Sequence, residues 1–222
     1  MFTSMGLHLH NNKGDLQYPK SFFCCKYALH RQQMRYTTYM DIHIAILIGT
    51  TRAQRKSVLV AHFLQSQLNT LDGVSTVLVD PLDFTFNGDG NDPEGKDPKY
   101  TNITQQADAF LIVVPEYNHS FPGSLKRMLD SELETYNHKA VAFAGVSSGA
   151  WGGVRAIESL INAVRETGLV TIAYDMQFPR VQDIFDDNGT LLNEKYTTYI
   201  QPTIKEFLWM SRVLKQARQQ SA

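Results

Sequence analysis

From Asp41 onward, short apolar runs alternate with segments whose apolar residues recur every three or four positions. Residues 43–48 (HIAILI) form a β-branched, nearly unbroken run that stops at Gly49, the pattern of a strand buried on both faces. Residues 74–79, 109–114, 140–144 and 170–174 repeat that pattern. Between them, Val60, Leu64, Leu68 and Leu71 predict one helix, and a short helical segment is expected near residues 101–107. Leu125, Met128 and Leu129 predict the next, with Ser124 placed to cap it, and Val154, Ile157, Ile161 and Val164 a fourth. A last helix is expected over about residues 193–219, with Ile204, Phe207, Leu208 and Leu214 as its apolar side and Pro202 kinking or splitting it.

Five short buried strands alternating with helices predict an α/β fold, a five-stranded parallel sheet covered on both faces. Ligands in such sheets bind beyond the carboxyl ends of the strands, so the loops after strands one, three and four are the places to look.

Residues 1–40 break the pattern. They have no regular apolar period and carry Lys13, Lys20, Lys26, Arg31 and Arg35 against Asp15 alone. They read as a basic, disordered extension ahead of one domain over 41–222, or as sequence upstream of a start at Met40; a basic, acid-poor leader is also the composition of an organelle transit peptide. The two cysteines, Cys24 and Cys25, are adjacent, which makes them poor structural staples, and no Cys/His spacing resembles a zinc site.

Charge narrows the function. Lys and Arg total 21 against 22 Asp and Glu, so the chain lacks the cationic excess that displaces phosphate counterions from nucleic acid. It also lacks the strongly acidic profile of a carrier that docks on basic partners. No apolar run is long enough to cross a bilayer, and a soluble, cytoplasmic protein is expected.

The loop after strand one runs from Gly49 through Thr50, Thr51, Arg52, Ala53, Gln54, Arg55 and Lys56 to Ser57. It joins a buried strand to a helix N-terminus, where free N–H groups and the helix dipole favour an anion, and its hydroxyls and cations suit phosphate oxygens. The glycine spacing of a nucleoside-triphosphate loop and that of a dinucleotide fingerprint are both absent. The loop after strand three, Pro115-Glu116-Tyr117-Asn118-His119-Ser120-Phe121-Pro122-Gly123, is polar and aromatic and stiffened by its prolines. Its amides near Tyr117 and Asn118 suit a flat heterocycle, and His119 is a candidate for proton transfer. The loop after strand four, Gly145-Val146-Ser147-Ser148-Gly149, matches the G-x-S-x-G elbow of serine hydrolases. That fold places its histidine after the serine, whereas all seven histidines here precede Ser147. Small residues at this point let backbone approach a ligand closely. The stretch around Gly189 lacks the ligand residues of a calcium loop, and no metal is indicated.

A phosphate loop, an aromatic-polar loop and a Gly/Ser loop make one mononucleotide site. The motifs G-T-T-R-A-Q-R at 49–55 and P-E-Y-N-H-S-F-P-G-S-L-K at 115–126 resemble the NADPH-dependent FMN reductase family of the flavodoxin-like superfamily, with its quinone, azo-dye and chromate reductases. The resemblance covers roughly residues 42–174 and implies a flavodoxin-like three-layer sandwich. It implies that Thr50, Thr51, Arg52, Arg55 and Ser57 grip the ribityl phosphate of FMN. Pro115, Glu116, Tyr117 and Asn118 would meet the isoalloxazine ring, and Ser147, Ser148 and Gly149 would lie beside its pyrimidine edge. It further implies hydride passing from NADPH or NADH through FMN to a quinone, free flavin or similar small-molecule acceptor, with no side-chain acid or base, in a homodimer or homotetramer. At His119 many relatives carry Tyr or Trp. Two other functions share these features: a one-electron flavodoxin-type carrier, and a redox-responsive FMN-binding regulatory partner.

Overall fold

The computed structural model describes residues 40–186 and 188–221. Strands β1 (Ile42–Ile48), β2 (Val74–Val79), β3 (Ala109–Pro115), β4 (Ala140–Val146), β5 (Val170–Thr171) and β6 (Met176–Phe178) form one sheet in the order β2-β1-β3-β4, with β5 and β6 both on the outer edge of β4. Every pairing is parallel. The helices are α1 (Ser57–Leu68), α2 (Pro98–Gln106), α3 (Gly123–Asp130), α4 (Val154–Glu166), α5 (Lys195–Tyr199) and α6 (Gln201–Ser221).

The period of two along each strand sorts the core. Ile42, Ile44, Ile46 and Ile48 share a buried cluster with Val60 and Leu64 of α1 and with Ile204 and Phe207 of α6. Ala45, Leu47, Phe110 and Ile112 share the other with Leu125 and Met128 of α3 and Ile157 and Leu160 of α4. Both faces are therefore covered, and the strand order is that of the flavodoxin-like sandwich. At the amino ends of the strands, α6 is tied down: Lys215 Nζ donates to Asp41 O at 2.9 Å and to Asp108 Oδ2 at 2.7 Å. Arg218 Nη1 donates to His138 O at 2.6 Å.

Three expectations change. The fifth strand, expected over 170–174, is two short strands on one edge of β4. Val141 pairs with Thr171 and Ala144 with Met176, so β4 advances three residues while its partner advances five. The two surplus residues bulge outward, leaving Tyr174 55% exposed, and β6 resumes the pairing to bring Phe178 opposite Val146. Ser124 does not cap α3: the capping position is Pro122, and Ser124 lies inside the helix. Leu71 falls in the turn after α1, its N–H donating to Leu68 O. Pro202 does split the last helix. It occupies the first turn of α6, where a missing N–H removes no helical bond. Apart from Met40, the reading of residues 1–40 lies outside the described residues.

The carboxyl end of β4 is built on close backbone approach. A Cβ on Gly145 would stand 2.4 Å from Gly152 O, and Gly153, at φ 79°, packs against the same backbone. Gly145→Ala should therefore destabilise the fold by about 1–3 kcal/mol, the usual cost of overpacking, read as a lower urea midpoint at unchanged slope.

Candidate functional site

The site begins where β1 ends. Gly49 N–H donates to Val113 O at 2.9 Å, and a Cβ at Gly49 would lie 2.8 Å from that same oxygen, so β1 and β3 stay in contact to the end of β1. The loop then turns into α1, whose first residue is Ser57. Ser57 Oγ is buried with no partner, beside the unmet N–H groups of a 12-residue helix.

Thr50 is also buried, and it knots the first loop to the second: Thr50 Oγ1 accepts from Arg52 N–H at 3.2 Å and shares a 2.8 Å hydrogen bond with Tyr117 Oη. The exposed guanidinium of Arg52 lies 5.9 Å from the centre of the Tyr117 ring. Arg55 is committed elsewhere, forming an ion pair with Asp80 just past the end of β2.

In the second loop Tyr117 and Ser120 exchange backbone hydrogen bonds of 2.8 and 3.0 Å, closing a tight turn. Both residues inside that turn, Asn118 and His119, have positive φ, 50° and 66°. Glu116 N–H donates to Val146 O at 3.1 Å, joining the second loop to the end of β4. The Glu116 carboxylate is 7% exposed and pairs with Arg155 Nη2 at 2.5 Å. Arg155, in the first turn of α4, also donates from Nη1 to His119 Nε2 at 2.9 Å and lies over the ring of Trp151.

The third loop closes on itself. Ser147 Oγ donates to Gly149 O and accepts from Gly152 N–H, both at 2.9 Å, so the hydroxyl is a loop fastener. Ser147 N–H donates to Phe178 O of β6 at 3.2 Å. The segment after β6 then folds against the loop: Val181 N–H donates to Ser147 O at 3.1 Å and Gln182 Nε2 to Ser148 O at 3.2 Å.

These pieces surround one cavity of about 320 Å³. Thr50, Arg52, Arg55, Ser57, Pro115, Glu116, Tyr117, Ser147 and Ser148 line it, while Thr51, Asn118 and Gly149 stand outside the lining. Among the described residues no group of three His, Cys, Asp or Glu side chains is placed to hold a metal ion. Sequence reasoning missed Asp80, Arg155, Val181 and Gln182. Asp80 matters only because β2 pairs with β1, and Val181 and Gln182 only because β6 pairs with β4. Arg155 had one legible signal, its place in the first turn of the helix that leaves the third loop.

The chain belongs to the NADPH-dependent FMN reductase family, whose profile matches residues 42–181. Over 176 residues it is 28% identical to a quinone reductase of Pseudomonas putida, covering 74% of this chain and 91% of that one. Over 186 residues it is 27% identical to a 2-hydroxy-1,4-benzoquinone reductase of a Burkholderia species, covering 76% and 95%. Among solved structures, the flavoenzyme NAD(P)H:(acceptor) oxidoreductase FerB of Paracoccus denitrificans superposes with a TM-score of 0.64 at 21% identity, covering 77% of this chain and 98% of that one. The residues present fit the family's cofactor: an FMN phosphate is a dianion, and the partnerless Ser57 hydroxyl at the start of α1 is a donor that such a group engages.

Ser147→Ala removes the acceptor for the buried Gly152 N–H. It should lower the unfolding free energy of the flavin-free protein by about 1–3 kcal/mol, measured by urea titration.

Proposed function

We propose that this protein is an FMN-dependent NAD(P)H oxidoreductase that passes reducing equivalents to quinones, free flavin or similar small acceptors. The observation that carries this reading is the single cavity framed by all three strand-end loops at the helix N-terminus. Thr50, Arg52 and Ser57 would hold the phosphate, Pro115 to Tyr117 would support the ring, and Ser147 and Ser148 would border its edge, with Thr51, Asn118 and Gly149 outside the lining and Arg55 tied to Asp80. Bound there, FMN would supply the hydride chemistry between reduced nicotinamide and the acceptor. The chain supplies position and electrostatics. The N-terminus of α1 compensates the phosphate charge, Thr50 and Tyr117 hold two loops at fixed separation, and the paired Glu116 and Arg155 add no net charge beside the ring loop. Among the described residues no carboxylate pairs with Arg52.

The purified protein should be yellow and hold one FMN per chain. Arg52→Ala should weaken FMN binding by about 1.5–3 kcal/mol in a fluorescence titration, the value of a charge-assisted hydrogen bond. A protein that takes up no FMN, or that releases FAD, would falsify the assignment. Anaerobic titration with NADPH separates the oxidoreductase from a one-electron carrier, because direct two-electron bleaching of the flavin belongs to the first.

We further propose a cytoplasmic homodimer or homotetramer. Trp151 and Tyr174 are 67% and 55% exposed and lie beside the site loops, which supports them as interface anchors. Phe121, the third aromatic in that neighbourhood, packs against the core instead. Light scattering on the flavin-loaded protein should give at least twice the 25.2 kDa chain mass, and Trp151→Ala should shift it toward monomer.

A further inference from the structure

Arg155 links three features of the second loop that the cofactor does not account for. Its guanidinium reaches the Glu116 carboxylate at 2.5 Å and His119 Nε2 at 2.9 Å, so one fork ties exposed His119, which stands outside the cavity lining, to Glu116, which is part of it. His119 is held in the left-handed region at φ 66°, where a residue with a Cβ is strained, while the Ser159 hydroxyl, one helical turn beyond Arg155, donates to Arg155 O at 3.0 Å. The Arg155 bond at Nε2 holds the imidazole ring.

Arginine N–H groups only donate. His119 Nε2 must therefore accept, which leaves the ring proton on Nδ1. His119 is exposed, and no described residue accepts from Nδ1. The loop that borders the cavity thus presents an outward N–H donor whose tautomer Arg155 determines.

We propose that His119 Nδ1–H is the hydrogen-bond donor to a carbonyl oxygen of the quinone acceptor, with Arg155 as its positioning residue. This rests on the proposed quinone reductase activity. As the quinone receives a hydride, one oxygen gains negative charge, and a donor held in place beside the ring loop would stabilise it without reorganising. The balance is complete without proton transfer from the protein: NAD(P)H supplies two electrons and one proton as hydride, water supplies the second proton, the quinone becomes hydroquinone, and His119 keeps its proton.

The test uses the FMN-loaded protein and two acceptors, 1,4-naphthoquinone and ferricyanide, the latter taking electrons with no carbonyl to be bound. His119→Ala should lower the ratio of kcat/KM for naphthoquinone over ferricyanide about three- to tenfold, the worth of one hydrogen bond. It should weaken naphthoquinone binding to the oxidised, NAD(P)H-free protein by a similar factor in calorimetry. His119→Gln, whose amide can accept from Arg155 and donate outward, should restore both to within about twofold of the parent. Arg155→Lys, which keeps a cation for Glu116 but cannot bridge to His119, should reproduce the alanine effect. Equal losses with both acceptors, an unchanged naphthoquinone affinity, or a glutamine variant as poor as alanine would each overturn the proposal. An unsubstituted protein that binds FMN but reduces no quinone would overturn the functional reading itself, a distinct result.

Discussion

The crevice exists because β1 pairs with β2 on one side and β3 on the other. The chain leaves β1 through α1 on one face of the sheet and leaves β3 through α3 on the opposite face. Two neighbouring parallel strands whose helices depart in opposite directions cannot have their loops pack on each other, so a gap opens at their carboxyl ends. The Gly49 N–H bond to Val113 O holds the strands together up to the brink of that gap, and the Thr50–Tyr117 hydroxyl pair spans it. Everything else at the site is arranged around an opening that topology alone provides.

Within the gap, formal charge is a poor guide to the field. The first loop carries two arginines, yet Arg55 is balanced by Asp80 and, across the cavity, Arg155 is balanced by Glu116. Breaking such a pair strands a charge in a partly buried place, at a cost of about 3–5 kcal/mol in well-buried cases. Those arginines are therefore poorly placed to move toward an incoming anion. The attraction falls to groups that need no rearrangement, the N–H groups opening α1, the Ser57 hydroxyl and the exposed Arg52. Preorganised dipoles of this kind lose no partner when a ligand arrives.

The apolar runs announced β1 to β4 because strands buried on both faces admit almost nothing but branched aliphatic side chains, as 43–48 and 109–114 show. Local sequence failed where an outcome depended on a remote partner. Residues 170–174 are apolar enough for a strand, but the register of β4 admits only Val170 and Thr171 before the chain must bulge and start again at Met176. Ser124 has the chemistry of a cap, but Pro122 sets the start of α3 two residues earlier. The loops at 49–57, 115–123 and 145–149 were legible because each pairs a strand end with unusual polar or small residues. Arg155 and Gln182 reach the site only through folded geometry.

The bulge between β5 and β6 shows how an apparent defect at the sheet edge serves the site. Had the fifth strand run straight from Val170, Ile172 and Ala173 would have continued along β4, and the chain would have left the edge without bringing 178–182 over the third loop. The two surplus residues reset the register, so that Phe178 ends opposite Val146 and its carbonyl receives the N–H of Ser147. Val181 and Gln182 then bond to the carbonyls of Ser147 and Ser148, groups that a loop of small residues could not otherwise satisfy near a cavity wall. The third loop is thus held from inside by the Ser147 hydroxyl and from outside by the segment beyond β6. Because both restraints act on backbone, the lining at Ser147 and Ser148 stays in place without a large side chain, and the cavity keeps its width on the side where a flat ring would have to enter.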